Sequence, residues 1–184
     1  MTTTRIIDAD GMRRTVNRLS HEVLESNKGS EQLAVIGIRT RGEFLARRVA
    51  RKVEEIEGHP IQVGILDITL YRDDLHGRLD QPVLQSTEIL FDVTGKTIIL
   101  VDDVLYTGRT IRSALNAIMD LGRPKSMQLL VLIDRGHREL PIKADYAGKN
   151  VPTGQAQEVS VRMTETDGED AVYLVDRAGL EVRP

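Results

Sequence analysis

The chain of 184 residues contains no cysteine at all. It can therefore form neither a disulfide nor a thiolate metal site, and a reducing cytoplasm is its expected compartment. Long apolar runs are missing too. No stretch approaches the ~20 residues of a membrane span, and the start, Met1-Thr2-Thr3-Thr4-Arg5, has no apolar signal core, so no membrane partner is expected. An excess of positive charge is absent: 25 Lys and Arg face 28 Asp and Glu, for a net charge of −3. That balance argues against global nucleic-acid affinity, and any such binding must use a local patch. There is no internal repeat and no low-complexity segment. Gly-x-Gly-x-x-Gly does not occur. Gly95-Lys96-Thr97 mimics the end of a P-loop, but position 90 is Leu, and the triplet precedes a strand where a P-loop follows one. His21-Glu22-Val23-Leu24-Glu25 lacks the second His of a zinc-protease helix. What is present, 40% hydrophobic and 29% charged residues, suits one globular domain over residues 1–184, long enough to bury a core unaided.

The hydrophobic pattern predicts an α/β protein. Residues 10–26 read as an amphipathic helix, with Met12, Val16, Leu19 and Val23 in one stripe and Arg14, Asn17, Arg18 and His21 opposite. Asn27-Lys28-Gly29 ends it. Residues 33–38 form a buried strand, and a helix follows with Phe44, Leu45, Val49, Val53 and Ile56 turned inward. A second strand is expected over 61–70. This βαβ unit implies a right-handed crossover and a parallel sheet. Residues 97–133 supply another unit, closing on a strand at 127–133. Residues 71–86 are long, polar and charged, which in a compact domain marks a lid or arm. Residues 158–163 and 171–176 alternate as a hairpin.

The richest stretch is 97–110, Thr-Ile-Ile-Leu-Val-Asp-Asp-Val-Leu-Tyr-Thr-Gly-Arg-Thr. A short buried strand ends in Asp102 and Asp103, and a loop with Thr107, Gly108 and Thr110 leads into a helix. Ile111, Ala114, Leu115, Ile118 and Met119 recur along that helix at helical spacing, as far as Gly122-Arg123-Pro124. The combination suits a sugar phosphate. Loop amides and the helix N-terminus can cradle phosphate, while two carboxylates accept hydrogen bonds from vicinal ribose hydroxyls. In an open parallel sheet ligands sit beyond the carboxyl ends of the strands. Thr40-Arg41-Gly42 and Asp134-Arg135-Gly136-His137-Arg138 lie on that same edge.

The 97–110 stretch closely resembles the phosphoribosyl-pyrophosphate (PRPP) signature of type I phosphoribosyltransferases. The resemblance implies a mostly parallel central sheet flanked by helices, with a small hood from residues 67–90 and the C-terminal strands. It implies that Asp102 and Asp103 hold the ribose hydroxyls. Val104, Leu105, Tyr106, Thr107, Gly108, Arg109 and Thr110 would form the 5′-phosphate loop. Thr40, Arg41 and Gly42 would grip pyrophosphate, Gly42 making room, and Arg72 in the hood segment would clamp an anion. Mg²⁺ would be bound mainly through PRPP, with no protein ligand assigned.

The hood sequence, 134–142 and Gly148-Lys149-Asn150-Val151-Pro152 together resemble the PyrR family, pyrimidine-operon attenuation proteins that also carry uracil phosphoribosyltransferase activity. That likeness implies transfer of uracil to PRPP, giving UMP and pyrophosphate. Arg135 would lie by the nucleotide, and the backbone near Val159 would help read the base. It also implies binding of operon leader RNA, governed by UMP or UTP, through Arg14, Asn17, Arg18, His21, Arg138 and Lys149. Here Asn17 stands where Thr is expected in the family, and Gly154 where Ser is. Dimers that may associate further are the expected assembly. Two other readings stay open: a phosphoribosyltransferase for another base without RNA regulation, and an RNA-binding regulator with only vestigial catalysis.

Overall fold

The computed structural model describes residues 2–69 and 87–176. Its elements run β1 (Thr2–Ile7), α1 (Ala9–Asn27), β2 (Leu33–Ile38), α2 (Arg41–Glu57), β3 (Gln62–Leu66), β4 (Thr97–Leu105), α3 (Arg109–Leu121), β5 (Ser126–Asp134), β6 (Tyr146–Asn150), β7 (Gln157–Arg162), α4 (Thr164–Asp167) and β8 (Ala171–Asp176). Strands β3-β2-β4-β5-β6 make a five-stranded sheet, parallel throughout. Strands β1-β8-β7 make a separate antiparallel sheet of three.

The aliphatic runs of β2, β4 and β5 are continuous because both faces of the large sheet are covered. Alternation sorts them into two cores. Leu33 and Val35 of β2, Ile99 and Val101 of β4 and Leu130 and Leu132 of β5 pack with α1, α2 and the small sheet. Ala34, Ile36, Ile98, Leu100, Leu129 and Val131 pack with Ile111, Ala114 and Ile118 of α3 on the other face. Each fully buried Leu or Ile contributes about 1.5–3 kcal/mol, so these two layers dominate the stability. The C-terminal end of α1 follows its sequence signal, and its N-terminal end is set by a cap at Asp8. The Asp8 carboxylate accepts from the Gly11 N–H at 2.7 Å. Lys28 takes the left-handed conformation at the C-cap, and the Gly29 N–H reaches the Leu24 carbonyl at 3.0 Å.

Several expectations need correction. Strand β4 does not stop before the acidic pair but carries it, because β5 keeps pairing with it through Asp102–Val131 and Leu105–Asp134. Strand β3 ends at Leu66 rather than 70; the Asp67 carboxylate turns back to accept from the Thr69 N–H and hydroxyl, folding the chain into a turn. Ile56 and Met119 are turned outward, 37% and 53% exposed. Strand β1 was not foreseen, since four exposed residues in a row give no alternation. Nor was β6, whose sequence Tyr-Ala-Gly-Lys-Asn has little strand propensity. The hairpin of β7 and β8 is present with α4 at its tip. The small sheet takes its third strand from the N-terminus, and Glu88 bridges to Ile65 beside β3. The candidate lid at 71–86, with Arg72, lies outside the described residues.

Candidate active site

At the carboxyl edge of β2, β3 and β4 the backbone opens into a cavity of about 370 Å³. Thr40, Arg41, Asp102, Asp103, Val104 and Thr110 all line it, so pieces far apart in sequence converge there. Arg39, Asp67, Ile68 and Thr69 complete its wall. Of these, Asp67, Ile68 and Thr69 open the segment expected to form the hood, and Arg39 was given no site role; its position just beyond β2 was the available signal.

Asp102 is buried, with 7% of its surface exposed. Its Oδ1 accepts from the Asp103 N–H at 2.9 Å, and Asp103 Oδ1 accepts from the Val104 N–H at 2.9 Å. Both carboxyls are pushed above the usual carboxylate range. For Asp102 burial is the main cause, with the adjacent Asp103 charge adding to it. For Asp103 burial again leads, opposed by the Arg41 guanidinium. Two acids sharing a partly dehydrated site cannot both ionise cheaply, and a hydroxyl-rich ligand donating to them would relieve that cost.

Arg41 stands over the pair from the first turn of α2. Its guanidinium donates to the Asp167 carboxylate of α4 at 3.0 and 3.4 Å. Asp167 itself is lowered to about 2, chiefly by the Met163 N–H, then by Thr166 and Arg41, with burial opposing. The small-sheet hairpin is thereby tied to the loop at the end of β2. Asp167 is a residue the sequence reading missed. Gly42 also has a packing role. A Cβ there would fall 2.6 Å from the Val101 carbonyl oxygen, so glycine is required for α2 to lie flush against β4. The peptide bond between Arg39 and Thr40 is cis.

The loop after β4 wraps the end of α3. Gly108 adopts a left-handed backbone (φ 92°) and sits at the N-cap without a side-chain cap, so the first amides of α3 face outward from the helix end. The Thr107 hydroxyl accepts from the Arg109 N–H at 3.3 Å. Arg109 leans outward to Glu139 at 2.6 Å. Tyr106 presents its ring face to Arg135, whose guanidinium carbon lies 4.0 Å from the ring centroid. Arg135 is buried, donating to the Thr153 hydroxyl at 3.2 Å and to the Gln157 carbonyl at 2.6 Å. It thus spans from the loop to β7, where Val159 is buried two residues further on.

The basic residues do not all gather on one surface. Arg14, Arg18 and Lys149 line one open groove of about 500 Å³, joined there by Arg5, which the sequence reading did not single out. Arg14 is paired with Asp10 at 2.9 Å and Arg18 with Glu22. Arg18 also donates to the Gly148 carbonyl at 2.6 Å, and Lys149 to the Ile6 carbonyl at 3.3 Å. His21 is exposed on the same helix. Asn17 turns to a neighbouring hollow lined by Arg13, Arg48, Arg51 and Lys52. Arg138 is folded back onto the loop after β4, donating to the Tyr106 carbonyl and the Asp134 carboxylate.

Residues 2–166 match the family described as the phosphoribosyl transferase domain. Among curated relatives, the "Bifunctional protein PyrR" of Pelotomaculum thermopropionicum is 60% identical over 174 residues, covering 95% of this chain and 96% of the relative. The protein of the same name from Thermus thermophilus is 57% identical with the same coverage. Among solved structures, the hypoxanthine phosphoribosyltransferase of Trypanosoma cruzi superposes with a TM-score of 0.72 at 16% identity, over 94% of this chain and 96% of that one. A hypoxanthine-guanine phosphoribosyltransferase of Bacillus anthracis gives 0.71 at 16%, over 96% and 99%. At that identity the two structures support the fold alone.

Proposed function

This chain belongs to the PyrR family of phosphoribosyltransferase-domain proteins, and from that premise we propose the reaction it performs and the residues that perform it. It is a uracil phosphoribosyltransferase that also regulates pyrimidine biosynthesis genes by binding their mRNA under the control of uridine nucleotides. The observation that carries the enzymatic half is the single cavity that unites the acidic pair, Thr40-Arg41 and Thr110.

In the reaction the bond from ribose C1 to pyrophosphate breaks, and its electron pair leaves with pyrophosphate. Uracil N1 bonds to C1 and releases its proton to solvent, leaving UMP. Asp102 and Asp103 hold the ribose hydroxyls, and their negative charge faces the cationic ribose that develops as pyrophosphate departs. The Thr40-Arg41 segment binds pyrophosphate, and Tyr106 to Thr110 hold the 5′-phosphate, so most of the catalysis is positioning. Arg135 and the β7 backbone near Val159 hold the pyrimidine side. Uracil offers acceptor, donor and acceptor groups, so a site that pairs all three rejects cytosine by leaving polar groups unpaired.

Among the described residues there is no group of three or more His, Cys, Asp or Glu that could hold a metal. The acidic pair alone fits a cation brought in on pyrophosphate rather than one caged by protein. Such Mg²⁺ would neutralise the leaving group. RNA is held on the groove formed by Arg5, Arg14, Arg18 and Lys149, with His21 and Asn17 beside it. No helix among the described residues is long and apolar enough to cross a membrane. The assembly is a homo-oligomer built from dimers.

The test is a panel of bases offered with PRPP and Mg²⁺. Transfer to uracil, and not to hypoxanthine or guanine, is the expected result. Transfer to a purine alone would replace the reading with that of another base. RNA retention that depends on UMP tests the regulatory half, and retention indifferent to nucleotide would remove it.

A further inference from the structure

Arg138 turns its guanidinium almost entirely onto protein acceptors. Its Nε donates to the Ile142 carbonyl at 2.9 Å. Its Nη1 donates to the carbonyls of Tyr106 at 2.8 Å and Gly136 at 3.2 Å, and approaches that of Leu105 at 3.5 Å. Its Nη2 donates to the Asp134 carboxylate. Only 22% of its side chain is exposed. A guanidinium has five N–H donors in a fixed fork, and most of this fork is already occupied.

The acceptors matter more than their number. Leu105 and Tyr106 open the loop that leads to α3. The same segment fastens the next carbonyl as well, since the Thr107 oxygen accepts from the N–H groups of Glu139 and Leu140 at 2.9 and 3.2 Å. The Arg135 N–H adds a bond to the Leu105 carbonyl at 3.1 Å. In a planar trans peptide the carbonyl and the following N–H point in opposite directions. Tying back the carbonyls of 105, 106 and 107 therefore turns the amides of 106, 107 and 108 away from the 134–142 segment. Amides so aligned form the concave row of donors that an anion needs. The Asp134 carboxylate in turn fixes Arg138, and also accepts from the Gly136 N–H at 3.0 Å.

We infer that Arg138 is a positioning residue for the 5′-phosphate loop, acting through the Leu105 and Tyr106 carbonyls, and not a member of the RNA-binding surface. This rests on the phosphoribosyl-transfer reading for the identity of the ligand. It predicts that Arg138 affects ligands carrying a 5′-phosphate and leaves the base subsite alone.

Arg138→Gln and Arg138→Lys, with the wild-type protein beside them, test it by equilibrium titration with UMP and with ribose 5-phosphate and by steady-state kinetics in PRPP and in uracil. In Arg138→Gln, affinity for both phosphate ligands and KM for PRPP should worsen about tenfold or more, with KM for uracil nearly unchanged, while the melting temperature falls because the half-buried Asp134 loses its partner. Arg138→Lys, which keeps the charge and can reach one of the acceptors, should fall between, and it supplies the measurement if the Gln variant folds poorly. Phosphate-ligand affinity within about twofold of wild type in a folded variant would overturn the inference. So would an equal loss in the PRPP and uracil terms. Because the titrations need no turnover, a wild type that binds UMP but transfers nothing would refute the enzymatic reading and leave the role of Arg138 standing.

Discussion

Replacing Asp103 with Asn removes one charge from the floor of the cavity and keeps its shape. The amide oxygen can still accept from the Val104 N–H, as Asp103 Oδ1 does at 2.9 Å. What disappears is a charge-assisted acceptor for a ribose hydroxyl, worth about 1.5–3 kcal/mol. At about 1.4 kcal/mol per factor of ten, kcat/KM for PRPP should fall about 10- to 150-fold. Stability should move the other way. Burial holds Asp103 and Asp102 above their ordinary range, with Arg41 opposing at Asp103 and the neighbouring charge adding at Asp102. An acid whose folded pKa is raised binds more protons folded than unfolded across that window. Stability therefore falls as pH rises through it, and the penalty is complete above the folded pKa. Asp103→Asn should thus raise the melting temperature near pH 8, and the gain should shrink towards about pH 4 as the native acid becomes protonated. Initial rates over a PRPP series at saturating Mg²⁺ and uracil, with calorimetric scans at both pH values, check the two halves together. Unchanged kinetics would show that the pair is structural. A melting temperature that drops equally at both pH values would refute the electrostatic argument.

Gly42→Ala places a methyl 2.6 Å from the Val101 carbonyl oxygen; overpacking against backbone should cost about 1–3 kcal/mol in a denaturant titration and raise KM for PRPP, since Thr40 and Arg41 move with α2. Arg48→Met removes the cation shared by Glu165 at 2.6 Å and Asp170 at 2.7 Å. Leaving those carboxylates unpaired should cost about 3 kcal/mol, at the low end for a buried pair because the site is partly exposed. A double-mutant cycle with Asp170→Asn should recover part of that cost. Replacing Arg14 and Arg18 together with Ala should leave uracil transfer nearly intact. For every RNA phosphate these two arginines neutralise, the salt slope of leader-RNA binding should fall by nearly one unit, read by titrating labelled RNA with UMP present at several salt concentrations. Equal affinity and slope would remove that groove as the RNA site.

The sequence by itself determined the α/β class, the parallel sheet and the place of the acidic pair at its ligand-binding edge. These follow from local rules: aliphatic runs too continuous for a half-exposed strand, helical stripes with a stop signal such as Asn27-Lys28-Gly29, and polar residues gathered towards the carboxyl ends of the strands. The five-stranded sheet and its two cores obey those rules. Tertiary structure decided what depends on partners distant in sequence. Strand β4 runs on through Asp102 and Asp103 only because β5 lies beside it. Strand β1, without a hydrophobic pattern, exists because β8 offers it an edge. The same holds for the charged residues. Arg14 and Arg138 look alike as cations in sequence, yet one pairs with Asp10 at the surface and the other is drawn onto the carbonyls of a loop 32 residues away. A charge alone does not say whether it meets water, a ligand or the backbone; the fold chooses, through the acceptors it brings within hydrogen-bonding distance.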